Sequence, residues 1–233
     1  MKKVQRIDNS LNEKKKESRS LTMQEKIRSF FVSPAKLFSQ YEKKPSYRAL
    51  FLIIGILAAI LYVSKRIFDP GTVSSIIKNE VNPEYAQELI NTPISPLSVI
   101  LTIIGMIIAA YITVWIVSGI YYILISALNG KLTYRHTICI YSVTFIISIA
   151  GDIIITLFNG ITNGALNFSV NPYVDVLLSQ FSIFRIWGML MLYIGIRTLT
   201  TLSKKKSIAV ILIVFIGSTL ILLGKASIGQ ILI

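Results

Sequence analysis

Two ionisable side chains stand inside long apolar runs: Asp152 in the run from Thr137 to about Ile161, and Arg185 in the run from about Leu178 to Leu202. Burying either in hydrocarbon costs about 3 kcal/mol on insertion scales, so each needs a partner, water or a task. Read as a helix rising 1.5 Å per residue, the first run carries Asp152 about 15 residues, roughly 22 Å, from its start. Arg185 enters the second run from the opposite side, within roughly two turns. Both then lie at similar depth, and we expect them to face each other or a shared aqueous pocket. Such a pair can serve packing alone, since Gly151 and Gly188 beside it let helix backbones approach. It can equally form a polar pocket for a proton, an ion or a partner helix.

Other chemistry is scarce. His136 and Cys139 are three apart and would share a helix face, but structural zinc takes four N/S ligands and catalytic zinc usually three from protein. No neighbour supplies the rest, so we expect no metal and no cofactor. His136 reads as an interfacial residue. Cys139, the one cysteine, reads as a small packed hydrophobe and excludes an internal disulfide. The chain has no G-x-x-x-x-G-K-[ST] loop, no G-x-G-x-x-G, no H-E-x-x-H, no G-x-S-x-G, and no paired carboxylates in an apolar run. We therefore expect no catalytic residues and no enzyme. Tyr111, Trp115, Tyr121 and Tyr122 cluster in one run and Trp187 lies in another, as an aromatic belt at a membrane boundary would place them.

The elements that must position these residues are set by lipid. The chain is 53% hydrophobic and 15% charged, against about 25% charged in a typical soluble domain, which excludes a water-covered globule. A membrane helix needs about 20 mostly apolar residues. Five runs meet that need, at about 47–65, 96–128, 137–161, 178–202 and 207–224, so the fold class is all-α and polytopic. The first apolar run starts near residue 49, too late for a cleavable signal, and is expected to act as its own insertion signal. The stretch 89–130 carries no charge, and Ser95-Pro96 opens it as a cap and first turn. One helix from Pro96 to Leu128 would be about 50 Å long and would have to tilt, project into water or break.

Charge decides between one helix and two there, and sets the orientation. Cytoplasmic loops are enriched in Lys and Arg. With one helix, five crossings put residues 1–48, the turn with Lys131 and Arg135, and the turn with Arg197 and Lys204–Lys206 on one side, together 19 of the 24 Lys and Arg. A hairpin in 89–130 would send Lys131, Arg135 and the 197–206 cluster outside. The expectation is an inside amino terminus and an outside carboxyl terminus. The formal net charge of +13 does not point to nucleic acid, because residues 1–48 concentrate it just before the first apolar run, where an anionic leaflet attracts it.

Within that basic segment, residues 1–20 have no apolar period and are expected to stay disordered. Over 21–45, Met23, Ile27, Phe30 and Phe31, then Leu37, Phe38 and Tyr41, recur at helical spacing opposite charged and amide residues. That pattern fits short helices lying in the headgroup plane, or helices whose apolar face packs on the protein's own turns. Both readings stay open.

The segment Phe30–Leu57 (FFVSPAKLFSQYEKKPSYRALFLIIGIL) resembles the opening of the Yip (Ypt-interacting protein) domain family in its bacterial branch, through Phe31, Pro34, Phe38, Lys44 and Pro45. The resemblance extends over roughly residues 28–224. It implies a polytopic protein, residues 46–233, that binds other membrane proteins and does no catalysis. In the bacterial branch it implies an accessory component that helps assemble an ABC-type exporter involved in peptide-toxin protection. The competing reading is a small channel or secondary transporter centred on Asp152 and Arg185.

Overall fold

A computed structural model describes residues 22–68, 96–162 and 172–231. The expected disordered tail 1–20 and most of the two loops after the first and third runs lie outside the described residues. Among the described residues every regular element is a helix: α1 Met23–Val32, α2 Pro34–Lys43, α3 Arg48–Phe68, α4 Pro96–Ala127, α5 Tyr134–Ile161, α6 Pro172–Gln180, α7 Ile183–Leu199 and α8 Lys204–Ile231.

Local signals set several boundaries. The Thr22 hydroxyl accepts the Glu25 N–H at 3.3 Å while the Glu25 carboxylate accepts the Thr22 N–H at 2.8 Å, a capping box that starts α1. Pro34 opens α2 at a position where its missing N–H costs nothing. At the end of α4, Asn129 adopts the left-handed region with φ 64°. Its N–H donates to the Ser126 carbonyl at 3.0 Å and the Gly130 N–H donates to the Ile125 carbonyl at 2.9 Å, the paired bonds of a Schellman stop.

Among the described residues four helices are long and apolar enough to cross a membrane: Arg48–Phe68, Pro96–Ala127, Tyr134–Ile161 and Lys204–Ser227. Pro96–Ala127 is one unbroken helix of 32 residues, about 48 Å long. The run expected as a single helix over 178–202 differs. It is broken at Phe181–Ser182, where the Ser182 hydroxyl accepts the Arg185 N–H at 3.3 Å and starts a new helix. That new helix, α7, has 17 residues and spans about 26 Å. Ser is a favoured N-cap, and its side chain competes with continuation of the preceding helix.

The bundle is organised around α5, which buries twelve of its 28 residues and packs on α3, α4 and α7. Small residues bring the helices close. A Cβ at Gly160 would strike the Phe68 ring, one at Gly195 would lie 2.8 Å from Ile140 and 3.1 Å from Phe38, and one at Gly55 would lie 2.7 Å from the Tyr111 hydroxyl. That hydroxyl donates to the Phe51 carbonyl at 3.0 Å and ties α4 to α3.

One end of the bundle is basic and cross-tied. Lys206 Nζ donates to the Leu128 carbonyl at 3.1 Å, joining the start of α8 to the end of α4, and Arg197 Nη1 donates to the Leu202 carbonyl. A cation at a helix carboxyl terminus meets the negative end of its dipole. His136 bonds the Glu42 carbonyl through Nε2 at 3.2 Å, which holds the end of α2 at the start of α5. The apolar face of α2 points into the bundle. Phe38 is fully buried and Leu37 nearly so, against α5 and α7. Phe31, at the end of α1, stays exposed and sets its ring edge-on against Trp187 at 5.7 Å. The α1–α2 hairpin therefore runs along α7 from Trp187 to Gly195, about 12 Å at helical rise.

Candidate functional site

Asp152 and Arg185 lie toward the end of the bundle opposite the basic one. Asp152 lies on α5 and Arg185 in the first turn of α7; both are exposed. Between them, Phe184 fills the space over Gly151, where a Cβ would clash with its ring. This contact carries the close approach of α5 and α7, and the two charged residues flank it. Gly188 repeats the device one turn along, 3.2 Å from the Thr144 methyl measured to its ideal Cβ.

Two cations act electrostatically on the Asp152 carboxylate: Lys65 from α3, the stronger, and Arg185. The Arg185 guanidinium gives its side-chain hydrogen bond elsewhere, from Nη1 to Gln180 Oε1 at 3.0 Å. Gln180 is fully buried, and its amide nitrogen has no partner among the described residues. The helix break makes this contact, because Gln180 ends α6 and Arg185 begins α7, so five residues separate side chains that a continuous helix would hold apart. Neither Gln180 nor Lys65 was nominated by sequence. Gln180 carries no periodic signal across a break, and Lys65 reads as a headgroup anchor.

α4, α5, α7 and α8 touch in cyclic order and surround a cavity of about 450 Å³. Its wall is mainly apolar, with Tyr121, Tyr141, Thr144, Ser148 and Ser218 as polar points, and Arg185 is its one charged residue among those described. Of the aromatic cluster, Tyr121 is buried at this wall, while Trp115 is half exposed and gives its carbonyl to the Tyr134 hydroxyl at 2.8 Å.

His136 and Cys139 do not converge on a shared site. His136 Nδ1 pairs with the Thr133 hydroxyl at 2.6 Å and Nε2 with Glu42, while Cys139 is fully buried in the core. No group of three His, Cys, Asp or Glu side chains among the described residues could hold a metal ion. Near Cys139, burial pushes the Tyr41 phenol up to about 12, so Tyr41 serves as a neutral packing residue at any ordinary pH.

Long apolar helices, small-residue contacts and a single basic end define a polytopic helical membrane protein. The Yip1 domain model matches residues 28–226, and the chain belongs to that family of multi-pass membrane proteins. Comparisons with curated proteins and with solved structures give no match.

Proposed function

We propose that the protein is a non-catalytic accessory component of the cell membrane that binds partner integral membrane proteins, in the specific form of an ABC-type exporter engaged in peptide-toxin protection. The observation that carries the binding role is α4. It buries only Val114, Ser118, Tyr121 and Ile125 of its 32 residues, and Ile104, Ile108, Ile112 and Ile116 point outward in one row. A helix this long and this lightly packed offers a partner helix a continuous apolar contact. The exporter is inferred from the family's bacterial branch. Photo-crosslinking in native membranes tests the role: a photoreactive residue at 112 should capture an integral membrane protein, and the same residue at the buried position 140 should not. Capture of lipid alone at 112 would remove the proposal.

In this reading α6 and α7 together complete a fifth crossing, which places the amino terminus inside and the carboxyl terminus outside. Tags at both ends, tested for accessibility in intact cells, check this: two tags on one side would refute five crossings. The opposite charges of Asp152 and Arg185 add to the hold of Phe184 on Gly151 between α5 and α7. Exchanging them should restore part of the stability that each single change removes, and a double variant no better than either single one would end that role. A second reading, a small channel or secondary transporter, draws on the Arg185-lined cavity. Flux in liposomes containing this protein alone separates the two, because an accessory protein carries nothing by itself.

A further inference from the structure

The cavity ringed by α4, α5, α7 and α8 has a lopsided inventory. The hydroxyls of Thr144, Ser148 and Ser218 donate to the carbonyls of Ile140, Thr144 and Phe215, so their protons are used within their own helices. Beside the Tyr121 and Tyr141 hydroxyls, that leaves the Arg185 guanidinium, a fork of five donors, one of which goes to Gln180. Asp152 is the carboxylate on which the Arg185 charge acts, and Lys65 acts on it more strongly. Neither Asp152 nor Lys65 lines the cavity, so among the described lining residues the Arg185 guanidinium is the one charged group. A guanidinium with free donors beside an apolar wall can hold the carboxylate or phosphate of an entering molecule through paired N–H···O bonds. From Ser148 through Thr144 to Tyr141 the space continues along α5 for about 10 Å at helical rise, past a mainly apolar wall. Its volume, about 450 Å³, lies within the usual range of small-molecule sites.

We propose that this cavity binds an anionic amphiphile, with a carboxylate or phosphate head on Arg185 and an alkyl chain directed toward Tyr141. Two sources share that chemistry, a free fatty acid and an anionic phospholipid of the bilayer. The proposal does not depend on the accessory role, since it needs no partner protein.

Native mass spectrometry of the full chain, released from neutral detergent, counts bound oleate against bound oleyl alcohol. One saturable oleate per chain is expected, with oleyl alcohol at least tenfold weaker. Arg185→Gln should weaken oleate at least tenfold and Arg185→Lys far less. Gly217→Leu supplies an independent variant: Gly217 lines the cavity, and an added Cβ there meets nothing within 4 Å, so the side chain can occupy the space without a clash. It should abolish oleate binding while leaving the melting temperature unchanged. Displacement of oleate by phosphatidylglycerol identifies the bilayer lipid as the occupant, and saturable oleate that phosphatidylglycerol does not displace identifies the free acid. Equal binding of oleate and oleyl alcohol overturns the proposal. So does unchanged oleate binding in Gly217→Leu, which decides the matter even if Arg185→Gln fails to fold.

Discussion

α4 and α5 are both long apolar helices, and hydropathy alone hardly separates them. Their packing does. α5 buries twelve residues of 28 and α4 four of 32. In water the difference would come from an apolar stripe, but in lipid both faces of a helix are apolar and the stripe disappears. α5 is distinguished by small and hydroxyl side chains on its contact faces: Thr137, Cys139, Ser142, Thr144, Gly151 and Thr156 are all buried. α4 instead presents isoleucine at successive outward positions. Close approach of backbones, rather than greasiness, marks the helix that others pack against.

The comparison can be broken at its strongest point by truncation. Ile140 on α5 is fully buried and Ile112 on α4 is 52% exposed. Ile140→Ala should cost about 3 kcal/mol, because the side chain's contacts are lost and a cavity remains. Ile112→Ala should stay within about 0.5 kcal/mol. Equal losses in reversible unfolding from detergent would mean that α4 is as tightly packed as α5. Glycine gives a smaller, sharper contrast. Gly151→Val drives a side chain into the Phe184 ring, an overpacking worth about 2 kcal/mol, whereas a Cβ at Gly105 on α4 meets nothing within 4 Å. Gly105→Val should therefore leave the melting temperature nearly unchanged, and a large drop there would show a neighbour on that face.

The same contrast governs how much of the molecule is legible in its sequence. The helical class, the four long spans and the unbroken α4 can be read because a run of apolar residues longer than the hydrocarbon layer has few other solutions. Within 89–130, where charge favours one helix over two, the described residues Pro96–Ala127 form one helix. The break at Phe181–Ser182 escapes such a reading, since a lone Ser in an apolar run gives no periodic signal and its capping role depends on local backbone geometry. Asp152 and Arg185 stand out by cost, but Lys65, whose charge acts on Asp152, lies on another helix, and Gln180, which Arg185 bonds, lies across that break. Sequence spacing within one helix cannot show either. The burial of Phe38 is likewise one of two open readings of an amphipathic pattern, because a membrane surface and a protein groove ask the same apolar face of a short helix.

A further substitution asks whether even α4 has one packed edge. The Tyr111 hydroxyl donates to the Phe51 carbonyl at 3.0 Å, and its ring stacks on Phe51 with centroids 5.0 Å apart. Tyr111→Phe keeps the stack and removes the bond, and side-chain bonds between membrane helices average about 0.6 kcal/mol. The expected loss is of that size, about a fifth of the Ile140→Ala effect. It should appear as a small drop in unfolding free energy with no change in the accessibility of a cysteine placed at Ile116 on the outward row. No loss at all would mean that the Phe51 carbonyl, already bonded within α3, gains nothing from its second donor, and that α4 is held to α3 by apolar packing, the ring stack and the Ile54–Val114 cluster included.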